Sequence, residues 1–305
     1  QKKNCKTSRT SMSQGIVFFA HNNTEIDYGS VAMANATMIK HHMGIDAITL
    51  ITDEGTMRHM NDTWDKDIIE NTFENIKVIK RRKIDNNKRY RDTRHTVNLL
   101  PFYNINRSTV YNESPYDETL VIDVDYLICN DTLNAVWNHK ENLLINNKSF
   151  DLLTGRHDNS FDRVDDFGID FYWATAFYFR KSPEAEMFFN LLESIKANYP
   201  YFKTLYGITS YNFRNDHAFS IAVHMFNGFA KSGLVKHLPV DFLQHTLDYD
   251  ELYDITSKGS LSFLLEKTSE PGKFIPARTD GVNVHVMNKY SIVRQSKKIV
   301  EVYNA

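Results

Sequence analysis

The sequence predicts an α/β fold in which helices flank a mostly parallel central sheet. Short apolar runs at residues 15–20, 47–51 and 120–122 have the length and composition of buried parallel strands. A segment with apolar residues at helical spacing separates the first two runs, starting at Asp27 and closed by Gly44. Because strand–helix–strand units cross over with a right hand, consecutive units build a parallel sheet.

Further elements follow in chain order. After a polar stretch around residues 62–70, a third strand is expected at residues 76–79. Residues 96–103 are expected to form a helix or part of one, and residues 133–137 a short helix. The aromatic run at residues 171–179 is typical of a buried strand.

The second half of the chain contains the clearest helix start. Ser182 is a good N-cap and Pro183 suits the first helical position, so a helix is predicted from here to about Asn198. Another helix is expected at residues 216–226, and residues 257–305 are expected to form short strands and loops.

Length and composition favour a single domain. The 305 residues contain 36 Lys and Arg against 38 Asp and Glu, which gives a formal net charge of −2. With no internal repeat and no long linker, we expect one domain at residues 12–305. The polar, basic residues 1–11 precede Met12 and are expected to be a leader or an expression tag, or else a genuine N-terminal arm.

Cysteine usage and hydropathy predict a cytoplasmic protein. The chain has two cysteines, Cys5 and Cys129, which excludes a disulfide scaffold and fits a reducing compartment. Cys129 is expected to be a small buried apolar residue. No apolar run approaches the roughly 18 residues of a membrane span, and no secretory signal precedes the first strand.

Two carboxylates, Asp123 and Asp125, follow directly after the strand at residues 120–122. In an open α/β sheet the carboxyl ends of the strands face the ligand crevice. Alternate residues of an extended segment point the same way, so both carboxylates can bind one cation. Their oxygens suit Mg²⁺ or Mn²⁺, metals that commonly hold a substrate's phosphates. The alternative is a surface strand end with solvated acids.

With these motifs the chain resembles the GT-A glycosyltransferases, a nucleotide-sugar-dependent class with an Asp-x-Asp motif. The resemblance spans about residues 15–289 and implies the Rossmann-like GT-A form of the α/β fold. It also implies a nucleotide-binding half at about residues 12–131 and an acceptor-binding half at about residues 132–305. Five segments carry it: GIVFFAHNN (15–23), LVIDVD (120–125), WATAFYFRKSPEAEMFF (173–189), FRNDHAF (213–219) and VHVMNK (284–289).

The resemblance implies a metal centre and a cosubstrate. Asp123, Asp125 and His285 are the implied ligands of Mn²⁺ or Mg²⁺, and a nucleotide-sugar, above all a UDP-sugar, is the implied donor. Lys289 is a candidate contact to the departing phosphate. The alternatives are a satisfied strand histidine for His285 and a solvated lysine for Lys289.

Asp216 has three open roles. It is a candidate general base for the acceptor hydroxyl, a candidate ligand of the donor sugar, or a simple helix cap. Inverting members of the class usually show a Glu-Asp pair at this place. Here Asn215 precedes Asp216, so the stereochemical outcome stays open.

Five further residues are predicted to contact the donor. Asn22, Asn23, Tyr28 and Asp53 lie where the class binds the base and ribose, and Trp173 lies where it forms the donor-sugar pocket. Loop amides and carboxylates at such positions can equally cap helices, and Trp173 can equally be part of a packed aromatic strand.

Residues 77–94 form a basic segment with nine Lys and Arg and two Asp, a net charge of +7. This local excess predicts a face for a polyanion, and Tyr90 within it could stack on a base. Arg82 and other cations of the segment are also candidate contacts to the donor diphosphate. The alternative is a solvated loop, which charged runs usually form.

The acceptor is predicted from resemblance. Within the class the chain is most similar to phage enzymes that add arabinose to 5-hydroxymethylcytosine in DNA. This similarity implies UDP-arabinose as donor, double-stranded hydroxymethylated DNA as partner, the infected host cytoplasm as location, and no membrane. A glycan, lipid or protein acceptor, a nucleotide-binding module with a vestigial metal site, and a nucleotidyltransferase are the alternatives. The last class usually carries a Gly-rich loop, which is missing after residues 15–20.

Overall fold

A computed structural model describes most of the chain, namely residues 12–81, 86–156, 161–164, 168–210, 212–230, 233–240 and 242–305. The leader predicted at residues 1–11 and the donor contact predicted at Arg82 lie outside the described residues.

The described residues contain the following strands: β1 (Gln14–Phe19), β2 (Ile48–Thr52), β3 (Asn75–Val78), β4 (Asn87–Arg91), β5 (Val97–Pro101), β6 (Glu118–Ile122), β7 (Tyr126–Leu127), β8 (Leu143–Ile145), β9 (Ser149–Asp151), β10 (Arg163–Val164), β11 (Ile169–Asp170), β12 (Ala176–Arg180), β13 (Leu243–His245), β14 (Glu251–Ser257), β15 (Ser260–Glu266), β16 (Phe274–Asp280) and β17 (Val284–His285). They also contain the following α-helices: α1 (Tyr28–Met43), α2 (Glu54–Thr63), α3 (Lys66–Thr72), α4 (Val110–Glu113), α5 (Pro183–Ala197), α6 (Tyr199–Leu205), α7 (Asn215–Phe226) and α8 (Lys289–Asn304). Short 3₁₀ helices are found at Arg107–Thr109 and Thr132–Asn138.

The central sheet has the strand order β3-β2-β1-β6-β12-β8. Strands β3, β2, β1 and β6 are parallel, and β12 is antiparallel to both β6 and β8. Helix α1 packs against α8, and α5 packs against α7. The predicted fold class is therefore confirmed: an α/β protein with a mostly parallel central sheet flanked by helices.

Local sequence explains the first crossover unit. All residues of β2 and β6 are buried, as expected for continuous apolar runs in a parallel sheet. The carboxylate of Asp27 caps α1 by accepting a hydrogen bond from the Ser30 amide at 3.1 Å. Gly44 ends the helix with a φ of +65°, a conformation that favours glycine over residues with a Cβ.

The strand order creates a crevice at the carboxyl end of β1. Strand β2 lies on one side of β1 and β6 on the other, so the chain leaves in opposite directions from two neighbouring strands. Such a switch point is where ligands bind in open α/β sheets. Strand β6 ends at Ile122, which places Asp123 at this crevice.

A second sheet, of order β7-β17-β13-β9, continues from the aspartate pair. Strand β7 starts directly after Asp125 and pairs antiparallel with β17, so that His285 lies opposite Tyr126. The amide of Val286 donates to the Asp125 carbonyl at 2.9 Å. This pairing brings His285 to the pair Asp123 and Asp125.

The structure corrects two secondary-structure predictions. Residues 96–103 do not form a helix, because Val97–Pro101 is strand β5 and pairs antiparallel with the basic strand β4. Pro101 pairs with Asn87 at the end of the strand, a position that proline tolerates. Residues 257–305 contain a long helix, α8, whose buried Ile292, Ile299 and Tyr303 recur at helical spacing on the face toward the core.

Two other regions differ in extent from the prediction. The polar stretch around residues 62–70 belongs to helices α2 and α3, and only Ala176–Arg180 of the aromatic run is a strand. The helix predicted after Ser182 is confirmed as α5, with the Ser182 hydroxyl accepting from the Ala185 amide at 3.1 Å.

The division of the domain into two functional halves stays a prediction. Among the described helices, none combines the length and the apolar character needed to cross a membrane.

Candidate active site

Three predicted metal ligands converge at the crevice. One ligand atom from each of Asp123, Asp125 and His285 lies within 4.8 Å of the others. The Nε2 atom of His285 is 3.5 Å from Oδ1 of Asp125. Two carboxylates and one imidazole form a donor set that suits Mn²⁺ or Mg²⁺. The geometry of the described residues therefore fits a divalent cation.

The charges around the cluster support this fit. Burial acts to raise the pKa of Asp125, but the Lys289 ammonium and the His285 imidazole hold that pKa well below its usual range. Burial raises the pKa of Asp123, and the neighbouring carboxylates of Asp125 and Asp216 add to the effect against the attraction of Arg107. Carboxylates that repel one another in a buried place are stabilised by a cation between them.

Basic side chains hold both aspartates in place. The Nζ atom of Lys289 lies 2.5 Å from Oδ2 of Asp125, and the lysine is only 4% exposed. A guanidinium nitrogen of Arg107 contacts Asp123. The sequence indicated Lys289 through its motif, whereas Arg107 lies in a polar stretch without a pattern that marks it.

A cavity of about 1180 Å³ extends from the cluster. Its walls come from the hairpin of β4 and β5, the end of β6, the start of α7 and the second sheet. Of the residues predicted from the sequence, the following line it: Tyr28, Asp123, Asp125, Trp173, Asp216, His285 and Lys289. The structure thus places all four of the predicted catalytic and metal-binding residues, Asp123, Asp125, Asp216 and His285, around one space.

Asp216 faces this cavity from the first turn of α7. Its Oδ1 accepts from the Ala174 amide at 3.0 Å, and its Oδ2 accepts from the Arg214 guanidinium at 3.2 Å. Burial acts to raise its pKa, but the guanidinium groups of Arg214 and Arg107 hold the pKa below its usual range. The described contacts of the carboxylate therefore tie it to the loop before β12. The roles of base and of sugar ligand stay predictions.

Trp173 lies beside the predicted metal ligand His285. Its ring stacks on His245, with centroids 5.6 Å apart and an angle of 24° between the planes, and meets His285 edge-on at 5.9 Å. His245 had no distinguishing signal in the sequence. It reaches the cavity because β13 pairs with β17 in the second sheet.

Some of the residues predicted to contact the nucleoside line the cavity, and others lie outside its lining. Tyr28 lines the cavity, and its hydroxyl lies 3.0 Å from the hydroxyl of Tyr90. Asn22 accepts from the Gly29 amide at 2.9 Å, and Asn23 accepts from the Ile26 amide at 2.8 Å. These amides shape the turn before α1, and neither residue is among the described residues that line the cavity. Contact of Asn22 and Asn23 with a nucleoside stays a prediction.

Asp53 is buried at the start of α2. It caps that helix by accepting from the Thr56 amide at 3.1 Å, and it pairs with Arg81 at 2.8 Å and with His21 at 2.9 Å. Burial acts to raise its pKa, but these two partners and the Thr56 amide hold the pKa far below its usual range. The carboxylate lies outside the described cavity lining, so its contact with the nucleoside also stays a prediction.

The basic segment is partly neutralised by neighbouring acids. Four of its cations form ion pairs with carboxylates: Lys77 with Glu113, Arg81 with Asp53, Arg91 with Asp248 and Arg94 with Glu266. Lys88 and Arg89, on strand β4, line the cavity. Strand β4 of the segment thus lines the candidate site, and among the described residues only part of the segment's charge is unpaired.

Comparison with known proteins gives distant structural similarity. No protein-family model matches the chain, and no curated protein sequence matches it. One similar solved structure is glycosyltransferase GlyE of Streptococcus pneumoniae TIGR4, with a TM-score of 0.44 and 11% identity over 75% of this chain and 45% of GlyE. A second is mannosyltransferase PcManGT of Pyrobaculum calidifontis in complex with GDP-Man and Mn²⁺, with a TM-score of 0.38 and 10% identity over 77% of this chain and 57% of PcManGT. A third is the inositol-1-phosphate CTP transferase of T. maritima, with a TM-score of 0.40 and 12% identity over 74% of this chain and 85% of that protein. The chain thus spans less than half of the length of GlyE. Similarity at this level does not distinguish sugar transfer from nucleotidyl transfer.

Proposed function

We propose that this protein is a GT-A glycosyltransferase that moves a sugar from a nucleotide-sugar donor to a hydroxyl acceptor in a metal-dependent reaction. One observation carries the proposal: Asp123, Asp125 and His285 converge beside Lys289 in a large cavity at the switch point of the sheet. This arrangement suits a diphosphate, which needs a divalent cation and a further positive charge as it leaves.

The chain's own residues have distinct tasks in this proposal. Mn²⁺ or Mg²⁺, when bound, supplies the positive charge that stabilises the departing diphosphate. Asp123, Asp125 and His285 hold that charge in place, and Arg107 orients Asp123. The Lys289 ammonium, close to Asp125, is available to donate a hydrogen bond to a phosphate oxygen.

On the acceptor side, we assign the activation of the hydroxyl or the binding of the transferred sugar to Asp216. Its carboxylate is kept ionised by Arg214 and Arg107, and an ionised carboxylate can accept a proton or hydrogen-bond a sugar hydroxyl. The contacts proposed for the nucleoside and diphosphate of a UDP-sugar are Asn22, Asn23, Tyr28, Asp53 and Arg82.

A nucleotidyltransferase is the second candidate, since it also presents paired aspartates to a nucleotide. Against it, the segment after β1 reads His21-Asn22-Asn23 and has no Gly-rich loop for a triphosphate. The two reactions release different products. A glycosyltransferase releases a nucleoside diphosphate, whereas a nucleotidyltransferase that acts on a nucleoside triphosphate and a sugar phosphate releases pyrophosphate.

The decisive experiment follows both products. The protein is incubated with Mn²⁺, a panel of nucleotide sugars and hydroxyl acceptors that include hydroxymethylated duplex DNA, glycans, lipids and proteins, and separately with nucleoside triphosphates and sugar phosphates. Nucleoside diphosphate release that is lost in Asp125→Ala and kept in Asp131→Ala, an exposed aspartate nearby, supports the proposal. Pyrophosphate release instead would establish the second candidate, and no release in either assay would contradict both.

For the acceptor, we propose an anionic hydroxyl compound, because Lys88 and Arg89 line the cavity from strand β4. Hydroxymethylated duplex DNA, with UDP-arabinose as donor, is the specific case suggested by the resemblance to phage enzymes. Its binding must weaken steeply with salt, since phosphate contacts release counterions. Mass spectrometry of hydroxymethylated DNA after reaction with UDP-sugars tests it directly. Transfer to a glycan, lipid or protein in parallel reactions would replace DNA as the acceptor.

A further inference from the structure

The carboxylate of Asp125 is shared between a candidate metal ligand and a cation of the chain. Its Oδ1 faces Nε2 of His285 at 3.5 Å, and its Oδ2 lies 2.5 Å from Nζ of Lys289. Both partners of this ion pair are almost fully buried, with 9% of the Asp125 side chain and 5% of the Lys289 side chain exposed. Because charges in such a place are weakly screened, a divalent cation on the same carboxylate and the Lys289 ammonium repel each other. The two cations therefore compete for the charge of Asp125.

Lys289 combines a fixed main chain with a flexible side chain. It is the first residue of α8, and the side chain of Asn288 caps this helix by accepting from the Ser291 amide at 3.1 Å. The same side chain donates to the Asp92 carbonyl at 2.9 Å, which holds the start of the helix against the hairpin of β4 and β5. The ammonium, at the end of four methylenes, lines the cavity. Rotation of this side chain is therefore sufficient to move the charge from Asp125 to a ligand in the cavity.

Arg107, the cation in contact with Asp123, differs from Lys289 in this respect. Its positive charge acts on Asp216 as well as on Asp123, so one planar guanidinium serves two carboxylates. Lys289 is a compact single charge, and a phosphate oxygen is a strong hydrogen-bond partner for an ammonium. An exchange of partners is therefore expected of Lys289 and not of Arg107.

We propose that Lys289 competes with the divalent cation for Asp125, and that the donor diphosphate ends this competition by binding the ammonium. The inference rests on the proposed function, in which Lys289 contacts a phosphate of the nucleotide-sugar. A phosphate oxygen that accepts from Lys289 leaves the negative charge of Asp125 to the cation. By linkage, the cation and the diphosphate then raise each other's affinity by the same factor, typically about 5- to 150-fold.

The experiment measures the affinity for Mn²⁺ by electron paramagnetic resonance of the free ion, without UDP and with saturating UDP. Wild type is expected to bind Mn²⁺ about 5- to 150-fold more tightly when UDP is present. Lys289→Met is expected to bind Mn²⁺ alone at least about fivefold more tightly than wild type does, because the competing ammonium is removed. With saturating UDP it is expected to bind Mn²⁺ no more tightly than wild type, because the ammonium of the wild type is then bound to phosphate.

Two further variants support the comparison. Lys289→Gln removes the charge but keeps a hydrogen-bond donor for Asp125, and it decides the outcome if urea denaturation shows that Lys289→Met does not fold. Lys297→Met is the matched control, because Lys297 is exposed on the same helix. The control should bind Mn²⁺ as wild type does, both with and without UDP.

Three results would overturn the exchange. Equal or weaker binding of Mn²⁺ alone by the folded variants would show that Lys289 does not compete with the cation. An equal gain with and without UDP would show that the ammonium stays on Asp125, and no effect of UDP on wild type would show that there is no coupling. The proposed function survives each of these results if wild type releases nucleoside diphosphate. If wild type binds no Mn²⁺ even with UDP, the metal-dependent reaction is contradicted and the exchange with it.

Discussion

Lys289 and Asp125 form a buried ion pair at the centre of the candidate site, with Nζ 2.5 Å from Oδ2. The other oxygen of the same carboxylate faces Nε2 of His285 at 3.5 Å. Asp125 is therefore the one residue of the cluster that contacts both the candidate metal ligand His285 and the candidate phosphate contact Lys289. Its loss should affect metal binding first.

Asp125→Asn should abolish tight Mn²⁺ binding. Changing an outer-shell partner of a metal site costs about 10- to 100-fold in affinity, so loss of a ligand charge should cost at least about 100-fold. Calorimetric titration with Mn²⁺ measures it. Asp131→Asn, an exposed aspartate in the same part of the chain, is the control and should bind Mn²⁺ as the wild type does. Equal affinity of the two variants would contradict the metal assignment.

Lys289→Met should weaken UDP binding in the presence of Mn²⁺ by about 10- to 100-fold, because it removes a charge-assisted hydrogen bond to a phosphate. The control is Lys297→Met, since Lys297 lies on the same helix and is exposed. Fluorescence or calorimetric titration with UDP checks the difference. A similar affinity in both variants would show that Lys289 serves only to neutralise Asp125.

Arg156→Met should strongly destabilise the fold. Arg156 pairs with Asp151 at 2.6 Å and with Asp250 at 2.7 Å, and all three side chains are almost fully buried. Removing the cation leaves buried carboxylates without compensation, and the expected loss in the free energy of unfolding is about 3–5 kcal/mol. Urea denaturation measures this loss. Arg278→Met, which removes an exposed partner of Asp280, should leave the free energy of unfolding unchanged.

His217 should make the protein less stable as the pH falls from about 6.5 to about 4. Burial lowers its pKa to about 4, and the Arg214 charge adds to the effect. The unfolded chain then binds a proton in this window while the folded chain does not, so the free energy of unfolding falls with pH. At about 1.4 kcal/mol per pKa unit, the contribution reaches about 3 kcal/mol.

The variant His217→Gln should lose this part of the pH dependence when urea denaturation is compared between pH 4 and pH 7. His95→Gln, at an exposed position, should keep it. If the stability of His217→Gln varies with pH as steeply as that of the wild type, other groups are responsible for the acid sensitivity.

Local signals predicted much of the framework. The apolar runs of β1, β2 and β6, the start of a helix at Asp27 and the cap at Ser182 are short-range features, and the structure contains them. The prediction of a helix at residues 96–103 was wrong, because pairing with β4 decides the conformation of β5. Helix α8 was missed even though its apolar residues recur at helical spacing.

The sequence by itself determined the α/β class and the position of Asp123 and Asp125 at the end of a buried strand. Alternation along a strand and periodicity along a helix depend only on near neighbours, so a single sequence displays them. Only the tertiary structure decided that His285 reaches Asp125, that Asp151 and Trp173 face the same cavity, and that Asp53 is held by Arg81 and His21. These encounters join distant segments, and their register depends on which pairing buries the apolar faces of the whole chain.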